Sequence, residues 1–432
     1  MADKVDPAKT TTDHRYRIGS FSPRWLQRLN TSRWLLVALC LQKICIGYGL
    51  WGTGGAVITT IERRFGLTYT MVTMGTTVPI AVMLVSILPL SHFANVGHKA
   101  RWVSLSGVVA SVGMLLVALA EFVAPPYVVL GKAQVTEQSM CDVNSNRSVL
   151  QGDRPSSLQS NLAGIALLLM GNCLVALAMV VNGRVGQMYM DENVSQNASP
   201  MYLSIIASVA GIGVIFGLAA SGLYLRVHTQ FLFVDVQTLD LTGPDDPRWV
   251  GAWWLGYASG AILTMAASIP LFGFPRELPA TQRLRAKDVK TVDRKFVAIS
   301  SGKKLWNIHK QIWALLHIPY YALACLTTVC MSLLFSGFGS VGPKIIETYF
   351  NLPATKAGVV LGLVVMPVTN VTLVIGGFIV RRLRLTVMQN FRMDLALTCI
   401  KIAFAFMFFV RCAGPKWTGV TVPYENMLVV DG

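Results

Sequence analysis

The stretch WLLVALCLQKICIGYGLWGTGGAVI, residues Trp34 to Ile58, contains a single charged side chain, Lys43, in a run of apolar and small residues. A helix needs about 20 mostly apolar residues to cross the hydrocarbon core of a bilayer, so this run predicts a membrane-spanning helix. The preceding residues, Met1 to Arg33, are polar and contain no short apolar segment with a small-residue cleavage site. We therefore expect the first span to act as the insertion signal.

Eight more apolar runs of similar length follow. They cover Met71 to Leu90, Val103 to Phe122, Leu162 to Val181, Met201 to Leu223, Trp249 to Phe272, Ile312 to Phe335, Ala357 to Val380 and Leu395 to Val410. Of the 432 residues, 53% are hydrophobic and only 13% are charged, against about 25% charged residues in an ordinary soluble domain. The sequence therefore predicts an all-α integral membrane protein, a helical bundle with nine transmembrane helices.

The 37 Lys and Arg residues are distributed unevenly over the two sides that nine spans create. With the N-terminus inside, 24 lie on that side, 11 lie on the other, and Lys43 and Lys401 lie within spans. Because positively charged loops stay in the cytoplasm, we predict a multi-pass protein with a cytoplasmic N-terminus. The net charge of +16 then reflects topology, with some attraction to anionic membrane lipid, and it does not predict a nucleic-acid partner.

This topology also sorts the glycosylation sequons. Asn146-Arg147-Ser148 falls in the outer loop between spans 3 and 4, so Asn146 is a predicted glycosylation site. The sequons at Asn193 and Asn197 fall on the inner side and are predicted to be unmodified.

The longest polar interruption, Pro275 to Gln311, separates six spans from three. We predict a cytoplasmic tail over 1–33, an N-terminal six-helix half over 34–274, a cytoplasmic linker over 275–311, the first three helices of a C-terminal half over 312–412, and the start of an outer loop over 413–432. Spans that divide into triplets are typical of the inverted repeats of major-facilitator transporters. On that plan the chain contains nine of twelve helices and is expected to be shortened at its C-terminal end.

The sequence contains no pattern typical of an enzyme: there is no Walker loop, no Cys-x-x-Cys pair and no His-Glu-x-x-His motif. The six His residues are scattered, whereas metal ligands on helices favour spacings that share a face. We therefore expect no enzymatic activity, no metal site and no cofactor.

Ionisable residues within spans are costly and are therefore candidates for function. Lys43 lies about a third of the way into span 1, where it either holds an anion in a central cavity or pairs with a backbone carbonyl or a neighbouring helix. Arg184, just past span 4, either faces the cavity mouth or only fixes topology. Lys401 is predicted to lie a turn or two from the inner end of span 9, where it extends to the membrane surface or pairs with Asp394.

Two sequence clusters concern packing. The glycines of span 1, from Gly47 to Gly55, and those of span 5 allow either close helix contact or local unwinding next to a ligand, and close contact is the favoured reading. In DDPRWVGAWWLG, Asp245 to Gly256, Asp246 is expected to cap the sixth helix and Pro247 to begin it. Its three tryptophans are expected to anchor the helix at the membrane interface: Trp249, Trp253 and Trp254.

The same stretch carries a family resemblance. WVGAWWLG, followed by a span and FPRELP at Phe274 to Pro279, closely resembles the signature of the organic anion transporting polypeptide family of the major facilitator superfamily. Further similarities are TTIERRFGL from Thr59, GHKARW from Gly97, YMDENV from Tyr189 with SPMY from Ser199, and GGFIVRRLRL from Gly376. Trp249, Trp253 and Trp254 match the signature aromatics, and Glu62, Arg63 and Arg64 match the charged motif after the first span.

The resemblance implies a twelve-helix transporter of the plasma membrane that moves amphipathic organic anions without sodium. Bile acids, steroid conjugates, prostanoids and thyroid hormones are the substrates that such a family membership implies. Basic residues facing the central cavity are the usual anion contacts of the family, and Lys43 is the nearest equivalent in this chain.

Three departures from the family pattern qualify this expectation. A His usual near the end of span 3, tied to pH-dependent uptake, is replaced by Glu121 in ALAEF. The Gly- and Pro-rich stretch usual in span 4 reads ALAMVVNGRVG, from Ala176 to Gly186. After TGVTVPY, Thr418 to Tyr424, the large Cys-rich outer loop and three further helices are not in the sequence.

Two hypotheses follow for function. The first is organic anion transport by alternating access, with poor or no transport by these 432 residues on their own. The alternative is a shortened membrane protein that does not transport, but binds ligand or associates with full-length paralogues.

Overall fold

The computed structural model describes residues 15–17, 23–125, 158–233, 243, 249–279, 281, 308–350 and 354–406. The chain folds into two compact units. The first consists of Met1–Val292 with Thr372–Phe378, and the second of Asp293–Val371 with Ile379–Gly432. The predicted Asn146 site, Asp246 and Pro247 lie outside the described residues.

The described elements are helices, apart from one isolated antiparallel bridge between His228 and Gly251. Up to residue 281 the α-helices are α1 (Ser32–Gly47), α2 (Gly54–Phe65), α3 (Tyr69–Val96), α4 (Lys99–Val123), α5 (Leu158–Val180), α6 (Gly186–Glu192), α7 (Ser199–Tyr224) and α8 (Trp253–Phe272). A short 3-10 helix, Arg24–Leu29, precedes them, and two π-helical segments, Tyr48–Thr53 and Val181–Val185, join α1 to α2 and α5 to α6. Then follow α9 (Ile308–Leu316), α10 (Pro319–Phe350), α11 (Ala354–Leu383) and α12 (Val387–Ala405).

Among the described residues, six helical segments are long and apolar enough to cross a membrane, and they coincide with predicted spans 1 to 6. They are Ser32–Phe65, Thr70–Ala94, Lys99–Val123, Asn161–Glu192, Ser199–Tyr224 and Trp253–Phe272. The integral membrane helical bundle is thus confirmed, whereas nine spans stay a prediction. Hereafter "span" with a number refers to these six segments.

Span 1 is longer than its sequence predicts. The predicted run ends at Ile58, but the helix continues through the charged motif to Phe65 and ends at Gly66, whose φ of 61° is left-handed. Leu67 N–H donates to the carbonyl of Glu62 at 3.0 Å, which completes this helix end. The charged motif therefore lies on the last turn of a helix and not in a loop after it.

Close packing between spans 1 and 5 depends on their glycines, as predicted. A Cβ atom at Gly47 would lie 2.4 Å from the carbonyl oxygen of Ala210, and one at Gly213 would lie 2.1 Å from that of Ile44. No real Cβ atom approaches so closely, so a side chain here would push the two helices apart. Local distortion is present as well, because the glycine run of span 1 includes the π-helical segment Tyr48–Thr53.

Span 3 lies at the centre of the first unit and packs against spans 4 and 6, while span 1 packs against span 5. Two buried apolar clusters fill the two ends of this arrangement. One includes Phe65, Met114, Val117, Trp253 and Tyr257, and the other includes Leu35, Leu39, Val103, Tyr189 and Leu271. Each cluster stabilises one end at which the polar contacts described below are formed.

Helix α12 begins earlier than its hydropathy predicts. The apolar run starts at Leu395, but the helix starts at Val387, because Thr386 forms a capping box with Gln389. Thr386 N–H donates to Gln389 Oε1 at 2.8 Å. Lys401 therefore lies about four turns after the start of this helix, and its depth relative to the inner end of span 9 stays a prediction.

Candidate functional site

A buried ion pair joins the ends of spans 1 and 3. Arg64 Nε lies 3.0 Å from both carboxylate oxygens of Glu121, and the two side chains are 3% and 5% exposed. Trp253, fully buried at the start of span 6, donates its indole N–H to Glu121 Oε2 at 2.9 Å. We call Arg64, Glu121 and Trp253 the Arg64 cluster.

The Arg64 cluster is completed by contacts that satisfy and cover the guanidinium group. Arg64 Nη2 donates to the carbonyl oxygen of Pro125 at 2.8 Å. The Phe65 ring lies 5.5 Å from the guanidinium carbon and makes an edge contact with Trp253 at 5.9 Å. Buried charges are tolerated when paired and hydrogen-bonded in this way, so the cluster ties three distant motifs into one structural unit.

The other residues of the charged motif do not enter this cluster. Glu62 is half-buried and Arg63 is exposed. Sequence reasoning noted Glu121 only as a departure from the family pattern and missed its role as the partner of Arg64. An acidic residue near the end of an apolar run was the available signal.

The prediction that the tryptophans anchor span 6 at the membrane interface is wrong for Trp253 and Trp254, which are 0% and 8% exposed. Each signature tryptophan donates its indole N–H to an acceptor inside the protein. Trp249 donates to the carbonyl of Leu225 at 2.9 Å, and Trp254 donates to that of Thr229 at 3.2 Å.

The helix also begins later than Pro247. Residues before Trp253 pair with the chain that leaves span 5: Thr229 N–H donates to Val250 O at 2.9 Å, and Ala252 N–H donates to Val227 O at 2.8 Å. Backbone groups used in this pairing are not available for a helical turn, so the helix starts at Trp253 with Ala252 at its N-cap.

A second polar group lies within the apolar interior and was missed by sequence reasoning. Gln42 Nε2 donates to Val103 O at 3.1 Å and to Ser268 Oγ at 3.0 Å. Asn182 Nδ2 donates to Gln42 Oε1 at 2.6 Å. We call Gln42, Asn182 and Ser268 the Gln42 network; its members are buried and connect spans 1, 4 and 6 with the backbone of span 3.

The two predicted cations of the first unit are close in sequence to this network. Lys43 follows Gln42, is half-buried, and makes none of the hydrogen bonds or ion pairs found among the described residues. Arg184 follows Asn182 by two positions, lies in the π-helical segment Val181–Val185 and is exposed. The hydrogen bond from Asn182 to Gln42 holds together the two helices that carry these cations.

Lys401 belongs to the second unit. Its side chain is exposed, as is that of Asp394, and no ion pair joins the two within the described part of α12. The structure therefore gives no support to the pairing with Asp394, and extension of Lys401 to the membrane surface stays a prediction.

A third polar group lies at the opposite end of the first unit from the Arg64 cluster. Asn193 accepts, through Oδ1, the backbone N–H of Leu278 at 2.9 Å and the hydroxyl of Thr281 at 2.7 Å, and its Nδ2 donates to Tyr189 O at 2.7 Å. The hydroxyl of Tyr189 donates to Pro275 O at 2.6 Å. We call Tyr189, Asn193 and Thr281 the Asn193 cluster.

The motifs around this cluster are also joined by charge. Lys99, at the start of span 3, forms an ion pair with Glu192 at 2.5 Å. Asp191 accepts a hydrogen bond from the hydroxyl of Ser199, at the start of span 5. The motifs GHKARW, YMDENV, SPMY and FPRELP are thus one connected structural region, although they are far apart in sequence.

Within the described residues, no group of three or more His, Cys, Asp or Glu side chains converges to hold a metal ion. The described part of the first unit contains six apolar spans that are joined by the Arg64 cluster, the Gln42 network and the Asn193 cluster. The cations Lys43 and Arg184 lie next to the Gln42 network in sequence. These features define a polytopic helical membrane protein in which charged groups lie within the membrane-spanning region.

The sequence profile of the Organic Anion Transporter Polypeptide (OATP) family matches residues 34–431. The chain belongs to this family. The resemblance to this family that the sequence motifs predict is thereby confirmed.

Three similar proteins give the extent of the match. The chain is 31% identical over 427 residues to solute carrier organic anion transporter family member 4A1 of Mus musculus, covering 96% of this chain and 57% of that protein. It is 25% identical over 414 residues to member 4C1 of Homo sapiens, covering 94% and 55%. It is 28% identical over 402 residues to member 2B1 of Rattus norvegicus, covering 84% and 58%. The chain thus spans a little over half the length of these relatives.

Proposed function

We propose that this chain takes part in sodium-independent transport of amphipathic organic anions across the plasma membrane by alternating access. Membership of the OATP family and the names of its relatives as organic anion transporters support this function. Bile acids, steroid conjugates, prostanoids and thyroid hormones are the proposed substrate class. The observation that carries the proposal is a half-buried lysine, Lys43, within a membrane-spanning helix and without an ion-pair partner among the described residues.

Lys43 supplies the positive charge that attracts the anion. Coulomb attraction is several times stronger in the low-dielectric interior of a membrane protein than in water, so one lysine beside a cavity gives substantial selectivity for negative charge. The adjacent Gln42 is held by Ser268, Val103 and Asn182. This network fixes the rotation of span 1 and therefore the direction in which Lys43 extends.

Spans 1 and 4 are the proposed walls of the substrate pathway, since the first helix of each triplet lines the cavity in major-facilitator transporters. Both spans contain a π-helical segment, Tyr48–Thr53 and Val181–Val185, and such segments are frequent at functional sites. Arg184 lies in the second of them and is proposed to meet the anion at the cavity mouth. Lys401 is the proposed contribution of the later helices.

The remaining predictions are proposed with this function. The N-terminus lies in the cytoplasm, Asn146 is glycosylated, and the chain is organised as a tail over 1–33, a six-helix half over 34–274, a linker over 275–311 and three further helices over 312–412, followed by an outer loop from 413. In this orientation the Arg64 cluster lies at the outer end and the Asn193 cluster at the inner end. Their buried contacts allow the six-helix half to move as one body during alternating access.

Lys43→Gln tests the role of the lysine. We expect it to lower the affinity of the purified protein for a labelled steroid sulfate by about tenfold, because the loss of a charge-assisted contact is worth about 1.4 kcal/mol or more. Lys43→Arg keeps the charge and should retain most of the affinity. Arg226→Gln, which removes an exposed cation just after span 5, is the matched control. Binding of the labelled steroid sulfate should not change when sodium is replaced by choline.

Surface biotinylation of cells that express each variant separates binding from folding. If Lys43→Gln lowers the surface amount as much as it lowers binding, the lysine is structural and the proposal for it is wrong. Equal binding by Lys43→Gln and the unsubstituted protein contradicts it as well.

A further inference from the structure

A basic cavity of about 150 Å³ lies at the end of the first unit where span 3 begins and span 6 ends. We call it the Arg101 cavity. Four guanidinium groups and one carboxylate are among the side chains that line it: Arg15, Arg17, Arg101, Arg276 and Glu277. The cavity is separate from the Gln42 network, and neither the charged motif nor the signature tryptophans contribute to it.

The N-terminal wall of the cavity is held in place by Tyr16. This residue is 2% exposed, and its hydroxyl donates to Pro270 O at 2.7 Å. Its ring makes an edge contact with Phe274 at 5.0 Å and occupies the space beside Gly273, where a Cβ atom would lie 2.3 Å from the ring. Arg17 N–H donates to Gly273 O at 2.9 Å. The backbone segment that carries the two tail arginines is therefore held against the end of span 6 before any ligand arrives.

A second tie holds the same tail segment to the short 3-10 helix before span 1. Tyr16 N–H donates to Gln27 Oε1 at 3.0 Å, and Gln27 Nε2 donates back to Tyr16 O at 2.7 Å. The pair forms a two-bond clamp on a residue between the two cavity arginines. Preorganised cationic groups bind an anion with a smaller entropic cost than flexible ones.

The field inside the cavity is positive. His98, which also lines it, has its pKa lowered below the ordinary value, first by burial and then by the nearby charges of Arg101, Arg276 and Arg17. The positive charges of three guanidinium groups thus all disfavour protonation of the same imidazole ring. His98 is the N-cap of α4, so the N-terminus of a 25-residue helix adds its partial positive charge at the same place.

We propose that the Arg101 cavity binds a phosphomonoester group, carried by a phosphoinositide headgroup in the adjacent leaflet or by a soluble polyphosphorylated molecule. Arginine forks bind phosphate oxygens in bidentate fashion, and the described residues that line the cavity present four guanidinium groups and one carboxylate, a lining that suits a doubly charged ligand.

Size and position distinguish this ligand from a transported substrate. At about 150 Å³, the cavity is smaller than the roughly 300–1,000 Å³ of pockets that enclose drug-sized ligands. It suits a phosphoryl group whose remainder stays outside. Phe272, the last residue of span 6, lines the cavity and is 37% exposed, so the lip adjoins the apolar surface that faces lipid.

The test measures binding to the purified full chain in lipid nanodiscs and does not require transport. Three probes are used: nanodiscs containing phosphatidylinositol 4,5-bisphosphate, nanodiscs with phosphatidylserine at equal total charge, and soluble inositol trisphosphate. Arg101→Gln is expected to weaken binding of the phosphorylated probes by about tenfold. The matched control is Arg28→Gln, which removes one exposed positive charge from the 3-10 helix outside the cavity.

Saturable binding of the phosphorylated probes that is lost in Arg101→Gln and kept in Arg28→Gln supports the proposal. Binding of both inositol trisphosphate and the phosphoinositide identifies the phosphoryl chemistry as sufficient, and binding of the phosphoinositide alone identifies the membrane as the source. Equal weakening by both substitutions, equal binding of phosphatidylserine, or no saturable binding overturns it. Thermal midpoints without ligand, compared between the variants, exclude loss of folding as the cause.

Discussion

Glu121 near the end of span 3 and Trp253 at the start of span 6 are joined by a hydrogen bond of 2.9 Å from the indole N–H to carboxylate Oε2. The same carboxylate pairs with Arg64 at 3.0 Å. One acidic side chain therefore holds the ends of three spans together. Because the pair is buried, each partner depends on the other to offset the cost of removing a charge from water.

Glu121→Gln should destabilise the protein strongly. The amide keeps one acceptor for Trp253 but leaves the Arg64 guanidinium buried without a counter-charge, and breaking a buried ion pair in this way costs about 3–5 kcal/mol. The thermal unfolding midpoint of the detergent-solubilised protein is the measurement. Glu62→Gln, a half-buried position two residues before Arg64, is the control and should change the midpoint little. Equal midpoints for the two variants would show that the pair contributes no net stability.

Asn193→Ala should lower the unfolding midpoint, whereas Asn197→Ala should leave it nearly unchanged. Both residues are sequon asparagines in the same connection, but Asn193 is 1% exposed and bonded through both side-chain atoms, while Asn197 is exposed. Removal of the first leaves Leu278 N–H and the Thr281 hydroxyl without their acceptor, a loss of about 1–3 kcal/mol. Thermal unfolding of the two variants side by side checks this, and a larger loss at Asn197 contradicts it.

Gly213→Ala and Gly222→Ala provide a matched pair on the same helix. A Cβ atom at Gly213 would lie 2.1 Å from the carbonyl of Ile44, but one at Gly222 would have no atom within 4 Å. We expect the first substitution to separate spans 1 and 5 and cost about 1–3 kcal/mol. The second should be neutral or slightly stabilising, because alanine favours the helix over glycine. Thermal unfolding midpoints of the two variants in detergent measure both effects. Equal midpoints would refute the packing argument.

The six spans could be predicted from the sequence because apolar length alone determines them. The contacts between motifs could not, because each depends on residues far apart in the chain. Span 6 begins at Trp253 rather than Pro247 because Val250 and Ala252 pair with the chain after span 5, and hydropathy does not register such pairing. Composition likewise predicts the three tryptophans at the membrane interface, whereas Trp253 and Trp254 are buried against other spans.

The Gln42 network also depends on contacts that the sequence alone does not predict. The charge of Lys43 makes it a candidate from sequence alone, yet the neighbouring Gln42 makes the hydrogen bonds that orient the helix. A neutral amide in an apolar run was visible in the sequence, and the cost of burying an amide without partners was the signal that it has some. Which partners it has depends on how four helices pack.

His98→Gln should flatten the dependence of stability on pH. The pKa of His98 lies below 6.5, first because burial disfavours the imidazolium and then because Arg101, Arg276 and Arg17 repel it. Below pH 6.5 the unfolded chain therefore binds a proton at this position that the folded chain does not, and stability falls with falling pH until the lowered pKa is passed. Glutamine removes this contribution.

Unfolding midpoints measured between pH 5 and pH 7.5 check the direction of this pH dependence. On acidification, the midpoint of the unsubstituted protein should fall further than that of His98→Gln. His92→Gln, one helix earlier and outside the Arg101 cavity, should follow the unsubstituted protein. Inositol trisphosphate supplies an independent check, since an anion bound in the Arg101 cavity offsets the repulsion of the imidazolium by Arg101, Arg276 and Arg17. Saturating inositol trisphosphate should therefore weaken the dependence of the unfolding midpoint on pH in the unsubstituted protein. If the ligand leaves this pH dependence unchanged, the anion is bound elsewhere.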